Sequence, residues 1–198
     1  MNRLLLASGS ASRASLLRAA AVPFEVYPAD IDEETTKTAL LAVGKDAAGV
    51  AKALAEQKAN YVSQKFPEAL VLGCDQILLF DSCLIAKSPN LAEAKVLLKQ
   101  LAGNTHFLLT AAVLCRAGTV LWRNLERCTM RMRSLDDNFL DDYLAAEGDN
   151  ILSSVGCYHL EGRGAQLFEA VEGDYFSILG MPLLSVLAAL RDHGIMVR

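Results

Sequence analysis

A segment near the amino terminus has the residue types of an anion-binding loop. Residues 5–13 (LLASGSASR) begin as a short buried strand, continue through serines and a glycine, and reach Arg13 in the first turn of a predicted helix. The N-terminus of a helix presents unpaired N–H groups and a positive dipole end, which suits a phosphate group. Because an arginine is unfavourable at that positive end, its presence favours a bound anion. The simpler alternative is a serine-capped helix with Arg13 on the surface.

Two acidic motifs follow predicted strands further along the chain. Asp75 lies in residues 73–76 (GCDQ) after the apolar run 69–73, and an Asp at the carboxyl end of a strand is a frequent metal ligand or base. Residues 30–34 (DIDEE) follow another strand, and their carboxylates suit a divalent cation that bridges phosphates. The alternatives are an Asp that caps a turn and an acidic turn that is only solvated.

Two lysines are candidates for phosphate contacts, although each has a plain surface alternative. Lys58 lies inside a predicted helix, and Lys87 follows a predicted hairpin strand.

The three histidines have no metal-ligand spacing, so we expect them to be structural. The five cysteines form no C-x-x-C pair, which argues against a zinc ribbon or a disulfide framework and favours a reducing cytosol with most of the thiols buried.

The elements that must position these residues alternate between strands and helices. This order predicts an α/β protein with a mixed, twisted central sheet flanked by helices, in a single domain over residues 1–198 with a cleft between two lobes. Strands are predicted at 4–7, 24–27, 69–73, 77–79, 83–85, 106–116, 120–133, 158–160 and 166–171, and helices at 12–20, 47–66, 90–101, 136–147 and from Pro182 to Gly194.

Composition excludes several classes of protein. The chain has 198 residues, of which 53% are hydrophobic and 21% charged, and this balance excludes a disordered or low-complexity chain. The net charge of −4 disfavours a general partner of nucleic acid or of an anionic membrane, so an anionic ligand needs a local cluster of positive groups. No apolar run approaches the ~20 residues of a membrane span, and we expect a cytoplasmic protein.

The order of the motifs is more specific than any one of them. The motifs are Ser-x-Ser-x-x-Arg-x-x-Leu-Leu from Ser8, the acidic turn, Leu-Ala-x-x-Lys-Ala from Leu54, Gly-x-Asp-Gln from Gly73, Lys87, Gly-Asn-x-His from Gly103 and Gly-Met-Pro-Leu from Gly180. This order resembles the Maf family of nucleoside triphosphate pyrophosphatases over nearly the whole chain. The branch that hydrolyses 7-methyl-GTP is the most similar, because Asp-Gln at 75–76 and Glu161 stand where the dTTP/UTP branch has Asp-Thr and Gln.

The resemblance implies a reaction and a role for each candidate residue. A modified or non-standard nucleoside triphosphate, foremost 7-methyl-GTP, would be cleaved to a nucleoside monophosphate and pyrophosphate with the help of Mg²⁺, Mn²⁺ or Co²⁺. A homodimer is compatible with the family. The implied roles are Asp75 as proton acceptor; Ser12, Gln76 and Glu161 as specificity residues; Ser8, Ser10, Arg13, Lys58 and Lys87 as phosphate ligands; and Glu33 as metal ligand.

A second function stays open at this point. The family's Pro-Arg pair is Ala11-Ser12 here, and the proline after the hairpin lysine is Ser88. With fewer positive groups and rigid turns, the same cleft would suit a catalytically weakened paralogue that binds nucleotide and acts through a protein partner in cell-division control. The retained residues Asp75, Glu33, Lys58 and Lys87 favour the enzyme instead.

Overall fold

The computed structural model describes residues 3–197 and contains a mixed sheet of seven strands. The strands are β1 (Leu4–Leu6), β2 (Glu25–Val26), β3 (Leu70–Phe80), β4 (Cys83–Ile85), β5 (Thr105–Arg116), β6 (Thr119–Met132) and β7 (Phe168–Glu172). Their order is β2-β1-β3-β5-β6-β7, with β4 paired to β3. Strand β1 is parallel to β2 and β3, whereas the β3–β4 and β6–β7 pairs are antiparallel. The predicted α/β class with a mixed sheet is confirmed.

Most helices begin where a short polar side chain accepts a hydrogen bond from the backbone N–H three residues ahead, which is the usual N-cap interaction. Ser10, Asp32, Asp46 and Asn90 make this bond. No helix in the described range 3–197 is long and apolar enough to cross a membrane. The helices are α1 (Ala11–Ala19), α2 (Glu33–Ala42), α3 (Ala47–Lys65), α4 (Leu91–Leu101), α5 (Asp137–Glu147), α6 (Tyr175–Ile178) and α7 (Leu183–Asp192), with 3₁₀ turns at Gly148–Ser153 and Arg163–Leu167.

The chain divides into two compact units. The first comprises Met1–Gln76, Leu109–Glu126 and Asp174–Arg198, and the second comprises Ile77–Leu108 and Arg127–Gly173. Strands β3, β5 and β6 each contribute residues to both units.

The core of the first unit lies on one face of its part of the sheet, against α1 and α7. Alternate residues of a strand point to opposite faces, so every second residue of β1, β3 and β5 contributes to this core. Those strands, with α1 and α7, supply the buried residues Leu4, Leu6, Ala14, Leu17, Leu70, Leu72, Cys74, Ala112, Leu114, Leu183, Val186, Ala189 and Leu190.

The opposite face of β3 is packed against α3 at unusually short range. A Cβ atom built on Gly73 would lie 2.2 Å from the Ala55 carbonyl oxygen and 2.7 Å from the Ala59 backbone nitrogen. Those contacts are with backbone atoms, which cannot swing aside as a flexible side chain would. Gly73 therefore allows helix and strand to approach closely, and Asp75, two residues on, lies on the same face of the strand.

The second unit has a small aromatic core of its own around His106. This side chain is fully buried, and its Nε2 lies 2.7 Å from the Tyr158 hydroxyl oxygen. The Tyr158 ring meets Phe168 edge-on, with centroids 4.8 Å apart. Burial lowers the pKa of His106 to about 4, so its ring is neutral near pH 7 and packs as part of this core.

Several sequence predictions are wrong in detail. Residues 69–73 do not end a strand, because β3 continues to Phe80 and Gly73 serves as a contact surface for α3. The predicted strand at 158–160 is irregular. The acidic turn at 30–34 instead runs into α2, which was not predicted because it buries no residue and so lacks an apolar face; its Asp32 cap and acidic first turn favour the helix.

The close approach at Gly73 can be tested by adding one methyl group. We expect Gly73→Ala to lower the free energy of unfolding by roughly 3 kcal/mol, because the new Cβ overlaps backbone atoms of α3. Gly9→Ala is the matched control, since a Cβ there would only touch Pro28 at an ordinary 3.8 Å. Urea unfolding monitored by circular dichroism measures both. Equal midpoints for the two variants would contradict this account of the helix–strand contact.

Candidate active site

Asp75 lies in the middle of β3, almost completely buried, on the face that is packed against α3. Its Oδ1 accepts a hydrogen bond of 2.7 Å from Lys58 Nζ, and its buried Oδ2 has no hydrogen-bond partner among the described residues. Burial raises the pKa of Asp75, the positive charges of Lys58 and Arg13 oppose that rise, and the negative charge of Glu33 adds to it. A carboxylate with a raised pKa and a free oxygen is suited to accepting a proton.

Lys58 joins two carboxylates that come from different parts of the first unit. Its Nζ lies 2.7 Å from Asp75 Oδ1 and 2.9 Å from Glu33 Oε1. Lys58 is buried on α3, whereas Glu33, the first residue of α2, is partly exposed. A buried charge is tolerated when it is paired, and here one ammonium group neutralises part of the charge of two carboxylates. We call Glu33, Lys58 and Asp75 the ion cluster.

The loop between β1 and α1 holds Arg13 in a fixed position. Arg13 Nη1 donates to Ser8 Oγ at 2.9 Å, and its Nε donates to the Gly180 carbonyl oxygen at 2.8 Å. Ser8 is buried, and Ser10 caps α1 by accepting from the Arg13 backbone N–H. Arg13 is therefore half-buried and anchored at two points. The surface position considered in the sequence analysis is wrong.

Gln76 follows Asp75 directly and is bonded to different elements. The two protons of its Nε2 are shared among three acceptors, which are Thr110 Oγ1 in β5 and the carbonyl oxygens of Ser177 and Ile178 in α6. Sequence analysis did not select Thr110 or Ser177. A threonine within the otherwise apolar run 107–115 is the one signal that was available for Thr110, because a buried polar residue in a core strand needs a hydrogen-bond partner.

The structure brings together most, but not all, of the residues selected from the sequence. Hydrogen bonds and ion pairs link Ser8, Ser10 and Arg13 in one group and Glu33, Lys58 and Asp75 in another, both within the first unit. Ser12 is a partly exposed residue of α1. Lys87 and Glu161 are exposed residues of the second unit, so their roles stay predictions.

The two carboxylates of the ion cluster are ligands of the type that a hard divalent cation prefers. Carboxylate oxygens suit such ions, and Mg²⁺ is usually held by one or two carboxylates together with waters and substrate phosphates. Over residues 3–197 no group of three or more His, Cys, Asp or Glu is arranged to hold a metal ion. The partly exposed Glu33 therefore fits a cation shared with a bound phosphate and does not fit a closed protein cage.

Known proteins resemble this chain along almost its full length. A family model described as Maf-like protein matches residues 3–193. A Granulibacter bethesdensis protein named nucleoside triphosphate pyrophosphatase is 44% identical over 191 residues, covering 96% of this chain and 97% of that protein. A Ruegeria pomeroyi protein of the same name is 46% identical over 192 residues, covering 97% and 96%. A Mesorhizobium japonicum protein named 7-methyl-GTP pyrophosphatase is also 46% identical over 192 residues, covering 97% and 96%.

The pairing of Lys58 with Asp75 predicts an effect on the free energy of unfolding that can be measured without any substrate. Lys58→Met removes the cation that is hydrogen-bonded to the buried Asp75 carboxylate. We expect the free energy of unfolding at pH 7 to fall by about 3 kcal/mol, the scale of breaking a buried ion pair. The substitution raises the pKa of Asp75 further in the folded variant, while the unfolded value stays ordinary. The folded variant then binds a proton more readily than the unfolded chain, so its deficit shrinks as the pH falls from 7 toward 5.

Urea unfolding of the wild type and the variant at both pH values measures this deficit. Lys52→Met is the control, because Lys52 is an exposed residue of the same helix. A deficit that is the same at both pH values, or no larger than that of the control, would show that Lys58 does not stabilise the buried Asp75 carboxylate.

Proposed function

This chain belongs to the Maf family, and on that premise we propose that it is a nucleoside triphosphate pyrophosphatase that converts 7-methyl-GTP to 7-methyl-GMP and pyrophosphate. The names of its near-full-length relatives support the reaction class, and the name of the Mesorhizobium japonicum relative supports the substrate. The observation that carries the proposal is the buried Asp75 carboxylate: Lys58 donates to one of its oxygens, and the other has no hydrogen-bond partner within residues 3–197. That arrangement suits a proton acceptor for an attacking water.

Hydrolysis between the α and β phosphates requires little covalent chemistry from the protein. The enzyme must position water and neutralise the charge that grows on the leaving pyrophosphate. Among the described residues Arg13 donates only through Nε and Nη1, which leaves Nη2 to bind a phosphate oxygen. Ser8, Ser10, Lys58 and Lys87 are the other proposed phosphate ligands.

We assign the proton transfer to Asp75. Its burial raises its pKa, which makes the carboxylate a stronger base than an exposed Asp, while the positive charge of Lys58 opposes that rise. Glu33, together with substrate phosphates, would hold a divalent cation. When bound, Mg²⁺, Mn²⁺ or Co²⁺ supplies Lewis-acid neutralisation of phosphate charge. The free Oδ2 of Asp75 then receives the proton.

We propose that the enzyme acts in the cytoplasm and that its binding partner is its nucleotide substrate. Within residues 3–197 the five cysteines form no disulfide and four of them are buried, which suits a reducing compartment. The homodimer stays a prediction.

The cleavage site is the most direct test of the proposal. Purified protein is incubated with 7-methyl-GTP, GTP, dTTP, UTP and ATP in the presence of Mg²⁺ or Mn²⁺, and pyrophosphate and orthophosphate are measured separately. We expect a nucleoside monophosphate and pyrophosphate, fastest from 7-methyl-GTP, with activity abolished by chelation. Orthophosphate released directly from the triphosphate would overturn the proposed reaction, and a preference for another nucleotide would overturn only the proposed substrate.

The proposed catalytic role of Asp75 can be tested separately from its contribution to the stability of the fold. We expect Asp75→Asn to lower kcat by roughly 10²-fold or more, the usual effect of losing a general base. In the wild type, activity should fall as the pH drops through the raised pKa of Asp75, because the base must be ionised; the residual activity of the variant should lack that dependence. Asp81→Asn is the control, since Asp81 is exposed in the β3–β4 turn. Near-normal turnover in folded Asp75→Asn would show that Asp75 is structural.

Glu161 provides a test of base specificity. The methyl group of 7-methylguanine places a positive charge on the ring and makes N1–H more acidic, so a carboxylate would accept charge-assisted hydrogen bonds from the N1–H and N2–H edge. A glutamine would present one donor and one acceptor, and a mismatch of this kind costs about 1–3 kcal/mol. We expect Glu161→Gln to reduce the preference for 7-methyl-GTP over UTP at least tenfold in kcat/KM. Equal losses on every triphosphate would assign Glu161 to another role.

A further inference from the structure

The Gln76 amide nitrogen is surrounded by three acceptors of the first unit. Its Nε2 lies 2.9 Å from Thr110 Oγ1, 2.9 Å from the Ser177 carbonyl oxygen and 3.2 Å from the Ile178 carbonyl oxygen. Thr110 and Ser177 are fully buried, whereas Gln76 is only partly buried. The amide nitrogen of Gln76 is thus hydrogen-bonded to buried groups of the protein.

The direction of these hydrogen bonds is determined by chemistry. Two of the three acceptors are backbone carbonyls, which have no proton, so the nitrogen of the amide must face them. The Thr110 hydroxyl gives its one proton to the Ser177 carbonyl at 2.8 Å, and its oxygen can then only accept from Gln76. A flipped amide would set Gln76 Oε1 against three oxygens, so the observed orientation is strongly favoured.

This orientation limits what Gln76 can offer to a ligand. The Nε2 group donates within the protein, and none of the hydrogen bonds within residues 3–197 involves its Oε1. A glutamine that is free to turn can present a donor or an acceptor. Held in this way, Gln76 presents an acceptor alone.

We propose that Thr110 is a positioning residue for base recognition: its hydroxyl, together with the two backbone carbonyls, holds the Gln76 amide so that only Oε1 is available to the base. The inference rests on the proposed role of Gln76 as a specificity residue. Thr110 suits the task because a β-branched side chain in a strand has little rotamer freedom, and its strand β5 is the neighbour of β3 in the sheet.

An acceptor alone selects for bases with a ring N–H on the Watson–Crick edge. Guanine and 7-methylguanine carry N1–H, a proton that Gln76 Oε1 would share with the Glu161 carboxylate at the same edge, and uracil carries N3–H. Adenine N1 and cytosine N3 are acceptors, which would oppose Gln76 Oε1 and leave buried polar groups unpaired at a cost in affinity. The ligand class is therefore a nucleoside triphosphate whose base has a ring N–H, and 7-methyl-GTP is one member.

The test compares Thr110→Val, which has the same shape without a hydroxyl, with Thr110→Ser, which keeps the hydroxyl. We measure kcat and KM for 7-methyl-GTP, GTP and ATP, and the Kd of the α,β-methylene analogues of GTP and ATP by calorimetry. In Thr110→Val the guanine-over-adenine ratio should fall about 3- to 10-fold, the scale of one neutral hydrogen bond, mainly through KM and Kd. Thr110→Ser should keep the ratio within about twofold of the wild type.

Thr119→Val is the matched control, because Thr119 is exposed at the start of β6 and the substitution is the same. A protein that has merely lost stability would change kcat and KM for all nucleotides together and would leave the ratio unchanged. Thermal unfolding confirms that each variant is folded. If Thr110→Val does not fold, Thr110→Ala removes the same hydroxyl and is measured instead.

An unchanged ratio in the folded variant that lacks the hydroxyl overturns the inference and leaves the proposed function intact. If the wild type binds guanine analogues selectively without cleaving any triphosphate, the proposed function fails, and the calorimetric ratio still decides the role of Thr110. A ratio that falls in Thr110→Val and equally in Thr110→Ser also overturns the inference, because the hydroxyl is then not the cause.

Discussion

The buried charge of Asp75 is the constraint on which the rest of the first unit depends. A carboxylate in the middle of a strand, covered by a helix, costs several kcal/mol unless a cation is placed beside it. Lys58 meets that requirement only because α3 lies close enough for a 2.7 Å contact between its Nζ and Asp75 Oδ1. The approach is possible because Gly73 has no side chain where the backbone of α3 passes. Gly73 thus provides the space that the contact between Lys58 and Asp75 requires.

The ion cluster also connects α2 to the unit. Helix α2 buries none of its residues, so hydrophobic packing contributes little to its position. Glu33, at its first turn, instead forms an ion pair with Lys58 at 2.9 Å. The residue proposed to hold a cation is therefore brought to Asp75 by the same ammonium group that neutralises part of their joint charge.

The adjacent residues Asp75 and Gln76 divide two proposed tasks between the two faces of one strand. Successive side chains of a strand point in opposite directions, so Asp75 reaches α3 and Gln76 reaches Thr110 and α6. Proton transfer needs a buried, charged environment, whereas reading a base needs a neutral group of fixed orientation. Placing the two residues next to each other in the sequence joins them through a rigid backbone while keeping their surroundings separate.

Local signals in the sequence determined most of the elements and the candidate residues. The helices at Ala47–Lys65, Leu91–Leu101 and Asp137–Glu147 were predictable because their caps and periodic apolar residues lie within each segment. The order of the motifs also predicted the family and the candidates for the base, the metal ligand, the phosphate ligands and the specificity residues, because motif order is a property of the chain itself.

The tertiary structure alone decided how those residues act on one another. The continuity of β3 through Gly73, the pairing of Lys58 with both carboxylates, and the network of Thr110 with Gln76 join residues that are distant in the sequence. Burial and hydrogen-bond partners depend on which segments pack together, and a local pattern does not contain that information. Gly73 shows the difference. In the sequence, a glycine after an apolar run indicates the end of a strand. In the folded chain, the absence of a side chain at Gly73 leaves the space in which the backbone of α3 packs against β3.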